Sequence, residues 1–200
     1  MPSSNRNKPR CAWVTDDPLY IDYHDNEWGV PVYDDRLLFE FLILEGMQAG
    51  LSWLTILKKR ENFRASFDNF DAKLMAKYKQ HKINLLLNDS GIIRNKLKIQ
   101  SAVINAEAFL KVQQAEGDFA AYIWQFVQAK PLQPRRESMK QVPAMNTISD
   151  IMSKDLKKRG FKFVGSTICY AFMQAVGMVN DHTVDCFRHK QLTKVLIPGK

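Results

Sequence analysis

Apolar positions along the chain recur mostly with the spacing of amphipathic helices, every three or four residues. The clearest case is segment 34–50, DDRLLFEFLILEGMQAG, which begins with acidic residues and ends near a glycine, as capped helices do. The same spacing predicts further helices at 51–67, 71–78, 82–89, 96–117, 118–128 and 147–160, and a strongly apolar helix within 163–180. Convincing strand-like alternation is missing, so the sequence predicts an all-α fold.

Polar and glycine-containing segments separate these predicted helices. Segment 130–142 is polar and proline-rich and is predicted to be a loop. The helix at 147–160 has Thr147 or Ser149 available as its N-cap and Gly160 as its C-terminal stop. Gly91 lies between two helical stretches in LLLNDSGIIRNKLKIQ, where it forms a turn and can adopt a positive φ angle.

Basic residues follow this glycine turn. The N-terminus of the second helix, with Arg94, Lys96 and Lys98 nearby, could receive a nucleic-acid phosphate. Paired helices joined by a turn are common and often purely structural, so the pattern alone is a weak indication. The formal net charge of +8 and the pI near 9.4 permit binding to a polyanion without proving it.

The length of 200 residues suits one domain. We predict a flexible tail at 1–10, a single domain at 11–188, a C-terminal tail at 189–200, and a monomer. Segment 163–180 approaches the length of a membrane span, but its polar residues favour a buried helix and no membrane association. Three cysteines are a poor disulfide framework and favour a reducing, cytoplasmic setting.

The segment NDHTVDC raises the possibility of a metal site. On a helix, His182 and Cys186 would share one face, and Cys11 and His24 could complete a four-ligand structural zinc site. The spacing does not match a compact zinc finger. The alternatives are a buried apolar Cys11, a surface or pocket His24 and a helix-capping His182. His81 and His189 are expected to be exposed, although His189 is a possible rival ligand, and Cys169 is expected in the core.

Aromatic residues cluster near the N-terminus, at Trp13, Tyr20, Tyr23 and Trp28, and Trp53 follows. Such rings usually belong to the core. Glu45 is harder to explain, because it lies close to the apolar face of its predicted helix. A carboxylate there is either a solvated edge residue or a pocket acid. An anionic acid among aromatic rings would suit a flat, cationic, hydrogen-bonding ligand.

Four segments and one cysteine carry a resemblance to a known family: RCAWVTDDPLYIDYHDNEWGVP, LEGMQAGLSWLTILKKRENFR, DSGIIRNKLKI, KKRGFKFVGSTICYAFMQAVGMVNDH and Cys186. They resemble DNA-3-methyladenine glycosylase I, the constitutive bacterial alkylation-repair glycosylase. The resemblance extends from Arg10 to about Cys186. It implies the helix–hairpin–helix glycosylase fold, with the hairpin at about 83–106 and a zinc-linked lobe made of about 11–30 and 165–188.

The resemblance also implies roles for individual residues. Glu45 and Tyr23 would hydrogen-bond the lesion base, and Trp53 would stack on it. Trp13, Tyr20 and Trp28 would line the same pocket. Gln48 and Gly50 would approach the gap left by the flipped nucleotide, and Gly91, Arg94 and Lys96 would contact DNA. Zinc would be bound by Cys11, His24, His182 and Cys186.

The function implied by the resemblance is excision of N3-methyladenine from double-stranded alkylated DNA, leaving an abasic site without strand cleavage. The chain differs from other members of the superfamily in two features: it has no lysine placed as a nucleophile in the hairpin, and no catalytic aspartate is evident after it. Asp118 is not assigned that role, because it lies at the start of another predicted helix. Two alternatives remain. One is a zinc-linked helix–turn–helix DNA-binding protein without enzymatic activity, and the other is a zinc hydrolase with an open metal position.

Overall fold

The structure is a computed structural model and describes residues 8–194. This part of the chain is helical, as predicted, and contains no strand. Its α-helices are α1 Pro18–Asn26, α2 Asp35–Gln48, α3 Trp53–Leu57, α4 Arg60–Ser66, α5 Ala72–Met75, α6 Gln80–Asn88, α7 Lys96–Glu116, α8 Phe119–Trp124, α9 Thr147–Lys158, α10 Ser166–Ala175 and α11 Phe187–Thr193. Short 3-10 helices lie at Asp68–Phe70, Gln125–Val127 and Met139–Gln141.

Helix α2 forms the centre of the core. Every residue from Leu38 to Met47 is buried, so this helix is enclosed on all sides rather than along one stripe. It contacts α3, α7, α8 and α10. Because α2 has no solvated face over this stretch, the carboxylate of Glu45 cannot be a solvated edge residue, which decides one of the alternatives left open by the sequence.

Two predicted helices differ in detail from the structure. The single helix predicted at 51–67 is broken at Lys58 and Lys59 into α3 and α4. The N-cap of α9 is Asn146, rather than Thr147 or Ser149. The Asn146 side chain accepts from the Ser149 amide at 2.8 Å, and the Ser149 hydroxyl accepts from the Asn146 amide at 2.9 Å. This reciprocal capping box satisfies two backbone donors, so the helix begins after the asparagine.

The hairpin between α6 and α7 depends on close packing at Gly91. The φ angle of Gly91 is not positive, so the turn does not use the left-handed conformation that a glycine allows. A Cβ atom here would lie 3.0 Å from Asp89 Oδ1 and 3.1 Å from Asn62 Cβ. Lys59 Nζ also donates to the Ser90 carbonyl at 2.9 Å. A side chain at Gly91 would therefore require the Asp89 and Asn62 side chains to shift by a few tenths of an ångström, whereas no left-handed conformation calls for a glycine here.

The first and last segments of the described residues meet in the structure. The Phe187 amide donates to the Pro9 carbonyl at 2.9 Å. Helix α11 includes residues 189–193 of the predicted C-terminal tail, while residues 1–7 and 195–200 of the two predicted tails lie outside the described residues. The predicted loop 130–142 also reaches this region, through isolated parallel bridges from Leu132 to Val179 and from Arg136 to Thr183. Within residues 8–194, no helix is long and apolar enough to cross a membrane.

Candidate ligand pocket and metal centre

One cavity of about 320 Å³ is lined by all six residues predicted to form the base pocket, and also by Gln48. Its walls come from α1, the end of α2, the start of α3, the loop before α9, and α10. The lining residues are Trp13, Tyr20, Tyr23, Trp28, Glu45, Gln48, Trp53, Met139, Val142, Pro143, Ala144, Thr167, Tyr170, Ala171 and Gln174. The aromatic cluster and the acid therefore face a common space, as expected for a binding pocket.

The aromatic rings support one another. The centroid of Trp13 lies 4.9 Å from that of Tyr20 and 5.0 Å from that of Trp28, and Tyr23 lies 5.5 Å from Trp53. The indole Nε1 atoms of Trp13 and Trp53 are buried and have no hydrogen-bond partner among the described residues. A buried indole N–H normally has a partner, so both donors are unsatisfied in the free protein.

Glu45 is the most unusual residue of the cavity. Its side chain is only 4% exposed, and no described residue forms a hydrogen bond or an ion pair with it. Burial raises the pKa of this carboxyl from 4.5 to about 8, because the charged form loses its hydration. Near neutral pH the group is therefore mainly protonated in the free protein. The sequence analysis treated this group as an anion, whereas burial favours its protonated form in the free protein.

Tyr23 lies beside Glu45 and is completely buried within the wall. Burial raises the pKa of its phenol well above the usual value, and the nearby Glu45 carboxylate raises it further. The phenol therefore keeps its proton over the physiological range and can donate a hydrogen bond.

The part of the cavity wall formed by α10 and the loop before α9 was not predicted from the sequence. Tyr170 and Gln174 of α10 both donate to Asp181 Oδ2, at 2.6 and 2.9 Å, and Arg136 Nε donates to Oδ1 at 3.1 Å. The only sequence signal for this wall was the occurrence of polar residues such as Thr167 and Gln174 in an otherwise apolar helix. The segment from Met139 to Ala144 gave no signal, because loops lack periodicity.

The four predicted metal ligands come together as a buried cluster. The ligand atoms of Cys11, His24, His182 and Cys186 all lie within 4.8 Å of one another. Cys11 Sγ is 3.5 Å from His182 Nδ1, and Cys186 Sγ is 3.4 Å from both His24 Nε2 and His182 Nδ1. Tetrahedral zinc with ordinary bond lengths places sulfur and nitrogen donors about 3.6 Å apart. The donor set and its spacing therefore fit a tetrahedral cation.

Neighbouring groups orient both imidazoles, as is usual around metal-binding histidines. His24 Nδ1 pairs with Asp25 Oδ1 at 2.8 Å, and Arg10 Nη2 donates to Asp25 Oδ2 at 2.6 Å. His182 Nε2 lies 3.0 Å from the Trp28 carbonyl oxygen. The contact between the two thiols lowers the pKa of Cys186, with further lowering by the two imidazoles, and raises the pKa of Cys11, so one of the two sulfurs favours the thiolate before a cation binds.

The local structure of NDHTVDC differs from the helix considered at first. Helix α10 ends at Ala175 and α11 begins at Phe187, so His182 and Cys186 lie in a turn, with Cys186 at the N-cap of α11. The Cys186 amide donates to the Thr183 carbonyl at 2.8 Å, which closes the turn. His189 is not part of the cluster, although it is half-buried rather than exposed as expected. His81 is exposed and Cys169 is in the core, as predicted.

The residues expected to face DNA fall into two groups. Gln48 lines the cavity and Gly50 is exposed in the following turn, with a φ angle of +80°. Arg94 and Lys96 are exposed at the hairpin. Lys98 is buried, and its ammonium group donates to the carbonyl oxygens of residues 47 and 49. The expectation that Lys98 contacts phosphate is therefore wrong.

Comparison with known proteins gives one consistent result. The sequence model of the methyladenine glycosylase family matches residues 13–189. The chain belongs to the methyladenine glycosylase family. It is 52% identical over 177 residues to DNA-3-methyladenine glycosylase 1 of Escherichia coli (strain K12), covering 88% of this chain and 95% of the relative. The family resemblance inferred from the sequence is confirmed.

Solved structures of this glycosylase family share the fold. A crystal structure of 3-methyladenine DNA glycosylase I superimposes with a TM-score of 0.88 at 53% identity, covering 90% of this chain and 98% of the other. A variant of 3-methyladenine DNA glycosylase I in complex with 3-methyladenine gives a TM-score of 0.87 at 37% identity, covering 89% and 96% of the two chains. The predicted glycosylase fold is therefore confirmed.

Proposed function

We propose that this methyladenine glycosylase excises N3-methyladenine from alkylated DNA by hydrolysis and leaves the strand intact. The relatives carry that activity in their names, and a solved relative is bound to 3-methyladenine. The observation that carries the proposal for this chain is Glu45, a buried carboxyl without a partner in a cavity of aromatic rings. Burying such a group is costly, and a cationic ligand compensates for that cost.

The pocket matches the chemistry of the lesion. Methylation at N3 makes the adenine cationic while it is attached to the sugar and weakens the glycosidic bond. Trp53 would stack on the cation, and the Glu45 carboxylate would neutralise it and accept from the adenine edge. Tyr23 would donate a hydrogen bond to the base. Ordinary adenine is neutral, so it would gain less binding free energy from Trp53 and Glu45 and would be rejected.

The reaction needs little acid–base assistance. Water adds to C1′ of the deoxyribose, the bond from C1′ to the base nitrogen breaks, and its electrons neutralise the departing base. The products are neutral 3-methyladenine, an abasic site and one proton. Trp13, Tyr20 and Trp28 would line the pocket and exclude bulk water, which strengthens the electrostatic effect of Glu45.

Access to the base requires flipping, because the reacting atoms are stacked inside the duplex. Gln48 lies between the cavity and the exposed turn that contains Gly50, a position suited to the gap left by the flipped nucleotide. Arg94 and Lys96 are exposed beside the Gly91 turn and would bind phosphates there. Double-stranded alkylated DNA is thus the proposed partner.

The metal centre is proposed to bind zinc through Cys11, His24, His182 and Cys186. Two thiolates and two imidazoles form a closed structural set, and the four protein donors leave no position for a reactive water. Bound zinc would supply a link between the two ends of the chain. This arrangement disfavours the zinc hydrolase alternative, which requires three protein ligands and an open position.

We also propose that the protein is a monomer in the bacterial cytoplasm. One chain supplies the cavity, the hairpin and the metal cluster, which supports a monomer. Its three cysteines form no disulfide, which supports a reducing bacterial cytoplasm. The proposed domain remains 11–188, with the hairpin at about 83–106.

The deciding experiment is to incubate the protein with methylated double-stranded DNA and identify the released base by chromatography. We expect free 3-methyladenine and alkali-labile abasic sites, with no strand breaks before alkali treatment. Binding to DNA without release of a base would favour the alternative, a zinc-linked helix–turn–helix DNA-binding protein without enzymatic activity.

A further inference from the structure

Lys98 is a buried lysine without an acidic partner among the described residues. Its side chain is 8% exposed, and Nζ donates to the Met47 carbonyl at 2.9 Å and to the Ala49 carbonyl at 2.6 Å. Lysines are rarely buried unless their charge is compensated. Here the compensation comes from backbone carbonyls, so these two contacts must account for the position of the ammonium group.

The two carbonyls belong to the C-terminal end of α2. The last carbonyls of a helix have no partner within it, and the helix dipole makes this end negative. Helix α2 has no basic residue in its own last turn. Lys98 projects from the first turn of α7 and supplies the missing cation from another helix. The contact therefore joins the hairpin helix to the end of the helix that carries Glu45.

The contact also holds the turn that follows α2. The residues from Ala49 to Ser52 are exposed, and Gly50 has a φ angle of +80° with no atom close to where a Cβ would lie. Within this turn, the Leu51 amide donates to the Gln48 carbonyl at 2.6 Å. The far end of the turn is held separately, because Ser52 Oγ accepts from the Thr55 amide at 3.2 Å and caps α3. The bond from Lys98 to the Ala49 carbonyl restricts the orientation of the peptide at the near end.

We propose that Lys98 is a positioning residue that holds the turn from Ala49 to Ser52 in the conformation required to enter duplex DNA and expel the lesion base. It acts through the Met47 and Ala49 carbonyls and not through a phosphate. The proposal rests on the proposed glycosylase function. It predicts that loss of the ammonium group impairs base flipping while leaving the pocket and the electrostatic contact with DNA intact.

The test compares Lys98→Met with Lys96→Met and with Lys111→Met, in which an exposed lysine further along α7 is replaced. Lys98→Met should slow single-turnover excision from fully paired DNA at least about tenfold, since small displacements of positioned groups have effects of this size. Excision of the same lesion from a bulge, where the base is already unpaired, should fall less. Lys111→Met should behave like the unmodified protein in both assays.

Two binding measurements separate positioning from phosphate contact. The affinity for free 3-methyladenine should be unchanged in Lys98→Met, because the pocket is intact. The salt dependence of duplex binding should also be unchanged, whereas Lys96→Met should reduce its slope by about 0.9. A reduced slope in Lys98→Met, or equal losses on paired and bulged DNA, would overturn the proposal.

A milder variant and a structural measurement keep the test decidable. If Lys98→Met is unfolded at the assay temperature, Lys98→Gln replaces it in the test. Lys98→Gln retains a polar donor on a shorter side chain, so we expect the same pattern with smaller effects. Amide hydrogen exchange at Gly50, Leu51 and Ser52 should accelerate in both Lys98 variants and not in Lys111→Met. Absence of excision by the unmodified protein would instead overturn the proposed function, and the exchange measurement would still decide whether Lys98 holds the turn.

Discussion

At the scale of single residues, Glu45 combines burial with the absence of any partner among the described residues. The surrounding rings remove water from the carboxyl and raise its pKa to about 8. A bound cation would restore the ionised form, so we expect binding of the proposed lesion to release a proton below that pH. The same desolvation would then favour a charged base over a neutral one.

Glu45 should make the free protein less stable as the pH rises. The folded-state pKa of about 8 exceeds the ordinary value of 4.5, so the folded protein binds the proton more tightly. Its stabilising contribution is complete below about pH 4.5 and is lost progressively up to about pH 8, by an amount on the order of a few kcal/mol. Denaturant unfolding of Glu45→Gln should lack this decline.

The exposed Glu107 provides the control for this measurement. Glu107→Gln should retain the pH dependence of the unmodified protein. A Glu45→Gln variant whose unfolding free energy declines with pH as steeply as that of the unmodified protein would show that another group is responsible.

Removing the charge at Glu45 should also reduce catalysis. In Glu45→Gln the amide cannot neutralise the cationic base, so single-turnover excision of 3-methyladenine should fall by about 10²-fold or more, as for loss of a charge-stabilising group. The fold should persist, as checked by circular dichroism. An unchanged excision rate would refute the proposed role of Glu45 in the pocket.

At the scale of the elements, the hairpin depends on its packing against α4. Asn62 Nδ2 donates to the Gly91 carbonyl at 3.3 Å, and the Gly91 amide donates to Asp89 Oδ1 at 2.7 Å. These bonds bring α4 and the turn so close together that a Cβ atom at Gly91 would lie only 3.0–3.1 Å from the Asp89 and Asn62 side chains. The orientation of the hairpin, and with it that of Arg94 and Lys96, therefore depends on a contact with a helix remote in sequence.

Gly91→Ala should destabilise the protein by about 1–3 kcal/mol, because the added methyl group forces the turn away from α4. It should also weaken binding to DNA, because the hairpin phosphate contacts move. Gly165→Ala is the matched control, since no atom lies within 4 Å of the new Cβ position. Its effect on the free energy of unfolding should be within about 0.5 kcal/mol. Equal effects of the two variants would contradict the packing argument.

At the scale of the whole molecule, the metal cluster joins the two ends of the chain. Cys11 and His24 come from the first described segment, and His182 and Cys186 come from the turn before α11. The Trp28 carbonyl contacts His182, and the Trp28 ring lines the cavity. Closing the long chain between these ligands costs entropy, so a bound metal stabilises the folded state.

Metal removal should lower the melting temperature while leaving the chemistry of the surviving folded fraction largely intact. We expect one zinc per chain by elemental analysis and a clear decrease in melting temperature after treatment with a chelator or in Cys186→Ser. His189→Ala should retain the metal, because His189 lies outside the cluster. Complete loss of excision in a metal-free protein that remains folded would indicate a catalytic metal.

The sequence by itself determined the elements and much of the chemistry. Helical periodicity predicts the all-α fold, because an amphipathic pattern is a local property of the chain. The types of residue at Cys11, His24, His182 and Cys186 indicate a metal, and Glu45 among aromatic residues indicates a cationic ligand. Their grouping into two sites came mainly from the family resemblance, because spacing along the chain does not reveal which distant residues meet.

Only the tertiary structure decided the environment of individual groups. The protonation of Glu45 depends on water excluded by several helices, and the role of Lys98 depends on the end of α2 lying within reach. The space around Gly91 is restricted because Asn62 of α4 lies against it, which no local pattern encodes. Burial, long-range contacts and the resulting pKa values depend on how the helices pack, and packing is settled by the whole chain rather than by any single segment.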